Sequence, residues 1–397
     1  MLVQEKVTQA IEILREFEID CWMTFVRESE LNGDPTLDYI LGSSVTWHSA
    51  FILTASGKTC AIVGEFDRDT VEDTGAYTQI VSFVKGFKEP LVRCLQELNP
   101  AQIAVNYSEG SEICDGMTHG MYLILYKLLQ EMGFENRLVS AEKLVSALRQ
   151  RKSKTEREYI KGAIARTEQI FDQVAACIRP GKTERELAEF MQNEVRRMNL
   201  SAAWNEQHCP AVFSGPESSG GHYKPTDRII EPGHLINMDF GVRYNGYCSD
   251  LQRTFYVLHP TETAAPPEVQ KAFNDMVNAV EQAKQAIYPG KQGIEIDAVA
   301  RDYLTARGYE EFHCALGHQV GRFAHDGTAL LGPAWEKYGQ KPFERLEPGM
   351  VFTLEPHVNV PGHGRVTLEE MVLVTDNGAE YLSTPQKELL IIGHSCP

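Results

Sequence analysis

The chain has 397 residues, of which 43% are hydrophobic and 23% charged, a balance that fits a folded globular protein and excludes a disordered one. Its 38 Lys and Arg against 55 Asp and Glu leave a net charge of −17, which argues against nucleic acid or an anionic membrane surface as a partner. A chain this long exceeds what one hydrophobic core usually serves, so two domains are expected.

Residues 1–15 carry an amphipathic helical pattern bearing acids, without the long uncharged core of a secretory signal. No run approaches the roughly 18 apolar residues of a membrane span. Short apolar strands then alternate with helix-like stretches: Cys21–Val26, Ser49–Thr54, Cys60–Val63 and Gln102–Val105. That alternation predicts an α/β domain over residues 1–150. It contains no glycine-rich phosphate loop, which argues against nucleotide binding. The nine cysteines are scattered through the chain with no C-x-x-C pair, so reduced thiols in the cytoplasm are the simplest reading.

The charged stretch Arg149–Glu156 marks the boundary and ends in Ser153-x-x-Glu156, a capping pattern that starts a helix. A second capping box, Thr183-x-x-Glu186, follows Pro180-Gly181. Next come apolar runs flanking a polar turn with Asn245-Gly246, a strong hairpin signal. Asp239 and Asp250, 11 positions apart, would then lie on paired strands directed at one point. A carboxylate inside Ile-Asn-Met-Asp-Phe needs compensation, because an isolated buried charge costs several kcal/mol or more; a metal would supply it. For this pair alone, one turn-capping Asp and one exposed Asp is an equal alternative.

Helix-like segments at 267–287 and 293–307 lead to Gly317–Gly327, where His318 and His325 sit among glycines. Little bulk would block a ligand there, although a lone histidine is more often a satisfied core or surface group. Glu355 ends the apolar run Val351–Leu354, and Glu369 interrupts the apolar Val366–Val374, where a buried strand rarely tolerates an unpaired Glu. In chain order, Asp239, Asp250, His318, Glu355 and Glu369 suggest a two-metal hydrolase site.

With those five residues in that order and spacing, residues 151–397 resemble the methionine aminopeptidase, prolidase and creatinase family, most of all its Xaa-Pro dipeptidases and aminopeptidases P. The resemblance implies an α+β chain: a pita-bread catalytic domain over 151–397, preceded by a smaller α/β creatinase-like domain over 1–150. It implies two divalent ions, with Asp239 chelating one, Asp250 bridging both, His318 and Glu355 holding the other, and Glu369 bridging. Glu370 would point to the opposite strand face. Four carboxylates balance two divalent cations, and one imidazole among oxygen ligands favours Mn or Co, with Fe or Zn as alternatives. The implied reaction is hydrolysis of a small peptide, at an Xaa-Pro bond, by a metal-bridging hydroxide. Glu355 would relay a proton, His325 would steady the tetrahedral intermediate, and His222, in His222-Tyr223, would bind substrate. A homodimer is implied too.

Several positions depart from the family pattern. Prolidases and aminopeptidase P usually carry Arg two residues before the last ligand, where this chain has Thr367. Arg365 stands two residues earlier with the same strand parity, about 6.6 Å further along, as either a substrate contact or a surface charge. Gln319 replaces the Gly after His318, and Asp326 replaces the Glu after His325. His357 and His363 are either supporting groups or solvated. Two other readings are a creatinase-like amidine hydrolase, which does not need the metal pair, and a non-enzymatic binding protein on the same fold. Five intact ligands argue against the first. Lost ligands or a long basic insertion would mark the second, and the sequence has neither.

Overall fold

Six short apolar segments, rich in β-branched and aromatic residues, organise the first half of the chain. The computed structural model describes residues 2–217 and 224–393 and divides into two units, Met1–Arg149 and Gln150–Pro397. In the first unit the elements are α1 (Leu2–Glu16), β1 (Cys21–Val26), α2 (Leu37–Ile40), β2 (Ser49–Thr54), β3 (Thr59–Gly64), α3 (Arg68–Thr74), β4 (Gln79–Phe83), α4 (Lys88–Leu98), β5 (Ile103–Val105), α5 (His119–Met132), β6 (Leu138–Ser140) and α6 (Glu142–Gln150). The strands form one mixed sheet in the order β4-β3-β2-β1-β5-β6.

Side chains alternate across a strand with period two, and β1 shows the consequence. Cys21, Met23 and Phe25 join a core with Leu91 and Leu95 of α4 and Leu125 and Leu129 of α5. Trp22 and Val26 join the opposite core, with Ala10 and Leu14 of α1 and Leu144 and Leu148 of α6. Helices therefore cover both faces, which is why β1, β2 and β3 are buried throughout rather than alternating with solvent.

The second unit opens with α7 (Lys154–Ala175) and α8 (Glu184–Arg197). Both expected capping boxes are present: Ser153 with Glu156, and Thr183 with Glu186. Strands β7 (Ser201–Ala202), β8 (Ala211–Ser214), β9 (Leu235–Phe240), β10 (Val242–Tyr244), β11 (Tyr247–Cys248) and β12 (Leu251–Val257) follow. Next come α9 (Pro267–Ala286) and α10 (Gly293–Thr305), then β13 (Gly317–His318), β14 (Leu330–Leu331), β15 (Val351–Leu354), β16 (His357–Val360), β17 (Gly364–Thr367), β18 (Glu370–Thr375), β19 (Gly378–Tyr381) and β20 (Leu390–Ile392). Two helices followed by strands that carry the candidate ligands thus occur twice in succession.

The predicted hairpin has an inner and an outer part. Asn245 and Gly246 both adopt positive φ, 48° and 81°, the conformation a two-residue turn between twisted strands requires, and join β10 to β11. Beyond them β9 and β12 pair antiparallel from Phe240↔Leu251 to Leu235↔Tyr256. The main core of this unit packs α9 and α10 against β15 to β18 through residues such as Phe273, Met276, Ala300, Phe352, Val358, Val366 and Val372. Among the described residues no helix is long and apolar enough to cross a membrane.

Candidate metal centre

Strand register brings four of the five candidate ligands into one row. Asp239 of β9 lies opposite Gln252 of β12. Gln252 makes an isolated antiparallel bridge to Glu369, whose N–H donates to the Gln252 carbonyl at 3.3 Å. Leu354 pairs with Glu370, so one residue further along β15 Glu355 arrives beside Glu369. The Glu355 N–H donates to the Leu316 carbonyl at 2.7 Å, and the His318 N–H donates to Thr353 Oγ1 at 3.1 Å, which brings β13 alongside. Asp250 completes the set from just before β12.

Two glycines allow this convergence. A Cβ on Gly317 would stand 1.9 Å from the Thr353 carbonyl oxygen, and one on Gly241 would stand 1.9 Å from that of Ser249. Contacts this short are with backbone, which cannot move aside cheaply, so neither position accepts a side chain.

His318 Nε2 lies 3.1 Å from Glu355 Oε1 and 3.7 Å from Asp250 Oδ2. Donor atoms of Asp250, His318 and Glu369 all fall within 4.8 Å of one another. Burial, against the partly offsetting pull of His318 and with the push of Glu355, raises the Asp250 carboxyl to about 7. Burial and then the Asp250 and Glu355 charges push Asp239 well above the usual carboxylate range. Glu369 rises likewise, by burial and the charges of Asp250, Glu355 and Asp239. Burial alone would lower His318, but its hydrogen bond to Glu355 and the charges of Glu355 and Asp250 raise it to about 9.

These are the signatures of acids that need a cation. Asp239 Oδ1 and Glu369 Oε2 are buried with no hydrogen-bond partner among the described residues, a condition that native proteins seldom tolerate without an ion or water. Four carboxylates and one imidazole suit two divalent ions in charge and in donor type, so the residues present fit the group.

Neighbouring side chains aim the ligands. Thr353 Oγ1 donates to Glu355 Oε1 at 3.2 Å, and Gln252 Nε2 donates to Glu355 Oε2 at 3.4 Å. His318 Nδ1 is 3.4 Å from the Gln319 carbonyl, which favours a proton on Nδ1 and leaves Nε2 for a metal. Gln252 and Thr353 were not singled out in the sequence. Their only signal there is strand parity with Asp250 and Glu355.

Glu370 faces away from the cluster. It pairs with Arg253 at 3.1 Å and accepts from Ser383 Oγ at 2.6 Å and from the Gln386 N–H at 2.8 Å. His325 is exposed, with its ring 4.2 Å from that of His318, centroid to centroid. His222 lies outside the described residues. Asp326 accepts from the Arg322 N–H at 2.6 Å and so braces the loop carrying His325. Gln319 fills space that Gly327 leaves open, where a Cβ would come within 2.4 Å of its amide, and it donates to Gln150 Oε1 at 3.0 Å. His363 is bound at both nitrogens, 2.7 Å from the Gly233 carbonyl and 3.4 Å from Glu268. Its partners thus lie outside the five candidate ligands. His357 stands 3.8 Å from Cys314 Sγ.

Comparison with known proteins gives the family. The sequence pattern of metallopeptidase family M24 matches residues 158–376, more than half of the chain. The Xaa-Pro dipeptidase of Pyrococcus furiosus is 32% identical over 248 residues, 62% of this chain and 67% of that one. The uncharacterized peptidase YqhT of Bacillus subtilis is 29% identical over 279 residues, 70% and 73% of the two chains. Among solved structures, an Xaa-Pro dipeptidase from Bacillus anthracis superposes with a TM-score of 0.73 at 24% identity, over 98% of this chain and 100% of that one. An X-Pro aminopeptidase from Thermotoga maritima gives 0.70 at 24% identity, over 97% and 99%. At such identity the structural likeness carries the fold, and it bears out the expected pita-bread unit within a two-unit, prolidase-like architecture. The family match carries the class of enzyme, and its peptidases use divalent metals. The chain belongs to metallopeptidase family M24.

Proposed function

We propose that the protein hydrolyses short peptides at an Xaa-Pro bond, using two divalent ions, Mn or Co, held by Asp239, Asp250, His318, Glu355 and Glu369. The observation that carries this reading is the pair of buried oxygens without a hydrogen-bond partner among the described residues, Asp239 Oδ1 and Glu369 Oε2, on either side of Gln252 in one row of strands. When bound, such ions would lower the pKa of a water toward neutrality and polarise the scissile carbonyl.

The chain's own residues would do the rest. Glu355, held by Thr353 and Gln252, takes a proton from the attacking water and returns it to the departing nitrogen. His325, exposed beside His318, donates a hydrogen bond to the carbonyl oxygen as it gains charge. His222 contacts the substrate. The bond is supported by the Pyrococcus furiosus relative's name, Xaa-Pro dipeptidase. The amide before proline also lacks an N–H, so ordinary peptidases that rely on that hydrogen bond process it poorly. Homodimer formation rests on the family resemblance, and a cytoplasmic location on the cysteine pattern.

The test is a panel of Xaa-Pro dipeptides, longer Xaa-Pro peptides, Met-peptides and creatine, run with protein reconstituted in each metal. Cleavage confined to Xaa-Pro bonds is expected. Turnover of creatine, or of Met-peptides alone, would overturn the reading.

A further inference from the structure

Cys60 of β3 and Cys94 of α4 meet sulfur to sulfur in the first unit. Ile52 of β2 lies opposite Cys60 on one side and Met23 of β1 on the other. Opposed residues share a face, so Cys60 joins the face that α4 covers with Leu91, Cys94 and Leu95. The two sulfurs stand 3.4 Å apart, where one S–H can donate to the other sulfur. Other buried thiols have oxygen neighbours instead. Cys114 Sγ lies 3.2 Å from the Ser146 hydroxyl, Cys209 Sγ 3.3 Å from the Gly241 carbonyl and Cys248 Sγ 3.4 Å from the Arg322 carbonyl. An oxygen neighbour gives a thiol no partner for a disulfide; a second sulfur does.

The pair sits at the rim of its core. Both thiols are only 4% exposed, yet both line a cavity of about 430 Å³ whose walls include the exposed side chains of Lys58, Gln79 and Glu97. Cys94 also borders a cleft of about 950 Å³ lined by β4 and α4. Hydrogen peroxide is little larger than water, which occupies roughly 30 Å³ in the liquid, so either space admits it. Cys94, which borders both spaces, is the sulfur it meets first. The contact also favours ionisation there: the hydrogen bond from Cys60 lowers Cys94 against burial and the Glu97 charge, while the same contact and burial raise Cys60. A thiolate beside a second thiol is the arrangement of an attacking and a resolving cysteine.

We propose that Cys60 and Cys94 are a modification site of the first unit, a dithiol that hydrogen peroxide converts reversibly to a disulfide tying β3 to α4. The Cys94 thiolate attacks one peroxide oxygen; an S–O bond forms, the O–O bond breaks, and the departing hydroxide takes up the proton that Cys94 gave. The Cys60 sulfur then attacks the Cys94 sulfur. An S–S bond forms, the S–O bond breaks, and the second hydroxide takes the Cys60 proton. Two thiols and one peroxide become one disulfide and two waters, with two electrons passing from sulfur to oxygen. Closing 3.4 Å to a bond of about 2.05 Å needs roughly 1.4 Å of relative sulfur movement, which small side-chain rotations supply. A dithiol reductant reopens the bond by exchange.

The test exposes the full chain, as purified, to a few equivalents of hydrogen peroxide, alkylates the remaining thiols and maps the fragments with and without dithiothreitol. Trypsin is combined with a Glu-specific protease, because Glu97 separates Cys94 from Cys114. Fragments holding Cys60 and Cys94 should be recovered linked, lighter by two hydrogen atoms than their sum, and should separate on reduction. Amides of α4 should exchange more slowly in the oxidised chain than in the reduced one. Cys60→Ser should leave Cys94 as a sulfenic acid that dimedone captures, whereas Cys94→Ser should leave Cys60 unlabelled. Recovery of both cysteines alkylated while Cys177 or Cys314 is oxidised would overturn the proposal, as would linkage of either one to a different cysteine. Unchanged exchange in α4 would contradict the tie. Should either serine variant fail to fold, the wild-type fragments decide alone.

Discussion

His318 Nε2 lies 3.1 Å from Glu355 Oε1, a contact in which, without metal, a proton occupies the place a cation would take. His318 is raised to about 9 by that neighbour and Asp250, and Asp250 itself to about 7. Metal must therefore displace protons. At pH 7, titrating divalent ion into stripped protein in buffers of different ionisation enthalpy should show net release of more than one proton per chain. A heat independent of buffer would contradict this.

Stability without metal should fall as pH rises. An acid whose folded pKa is raised binds more protons folded than unfolded between its two values, so unfolding free energy declines there. For Asp250 that window runs from 3.8 to about 7. For His318 the stabilisation is complete below 6.5 and is lost as pH passes about 9. The melting temperature of chelator-treated protein should drop steadily from pH 5 to pH 9, and added metal should flatten the slope. A rising profile would be inconsistent with the crowded acids.

Asp250→Ala should abolish activity, by roughly a thousandfold or more if one ion is lost from the mechanism, while the circular dichroism spectrum stays that of wild type. Removing one of several repelling carboxylates relieves the metal-free fold rather than straining it. Full activity in this variant would rule Asp250 out as a ligand.

Adjacent residues Glu369 and Glu370 should behave oppositely. Glu369→Gln should lower metal stoichiometry with little loss of stability. Glu370→Gln removes the partner of buried Arg253, and breaking such a pair costs about 3–5 kcal/mol, so it should melt much earlier yet bind metal normally under folding conditions. Metal analysis and thermal melts on the two variants distinguish them.

What could be read from the sequence follows locality. Asn245-Gly246 marked its turn because positive φ at both positions is a property of those two residues. Ser153 and Glu156 marked a helix start for a similar reason. The five candidate ligands stood out as acids and an imidazole in apolar runs or beside glycines. The roles of Gln252 and Thr353 depend on register: nothing near Gln252 in the chain says that Glu355 lies within reach of its amide. The same holds for Gly241 and Gly317, whose need to be glycine comes from strands that approach only in the folded unit. His363 was ambiguous because its acceptor, the Gly233 carbonyl, is 130 positions away.

We propose that five side chains assemble a two-ion centre that cleaves peptides. Its most direct test is a titration of metal-free protein with Mn or Co, following bound metal and Xaa-Pro hydrolysis in the same samples. About two ions bound per chain are expected, with activity appearing as the sites fill and none in stripped protein. Hydrolysis at full rate without metal, or saturation with no ion bound, would contradict it.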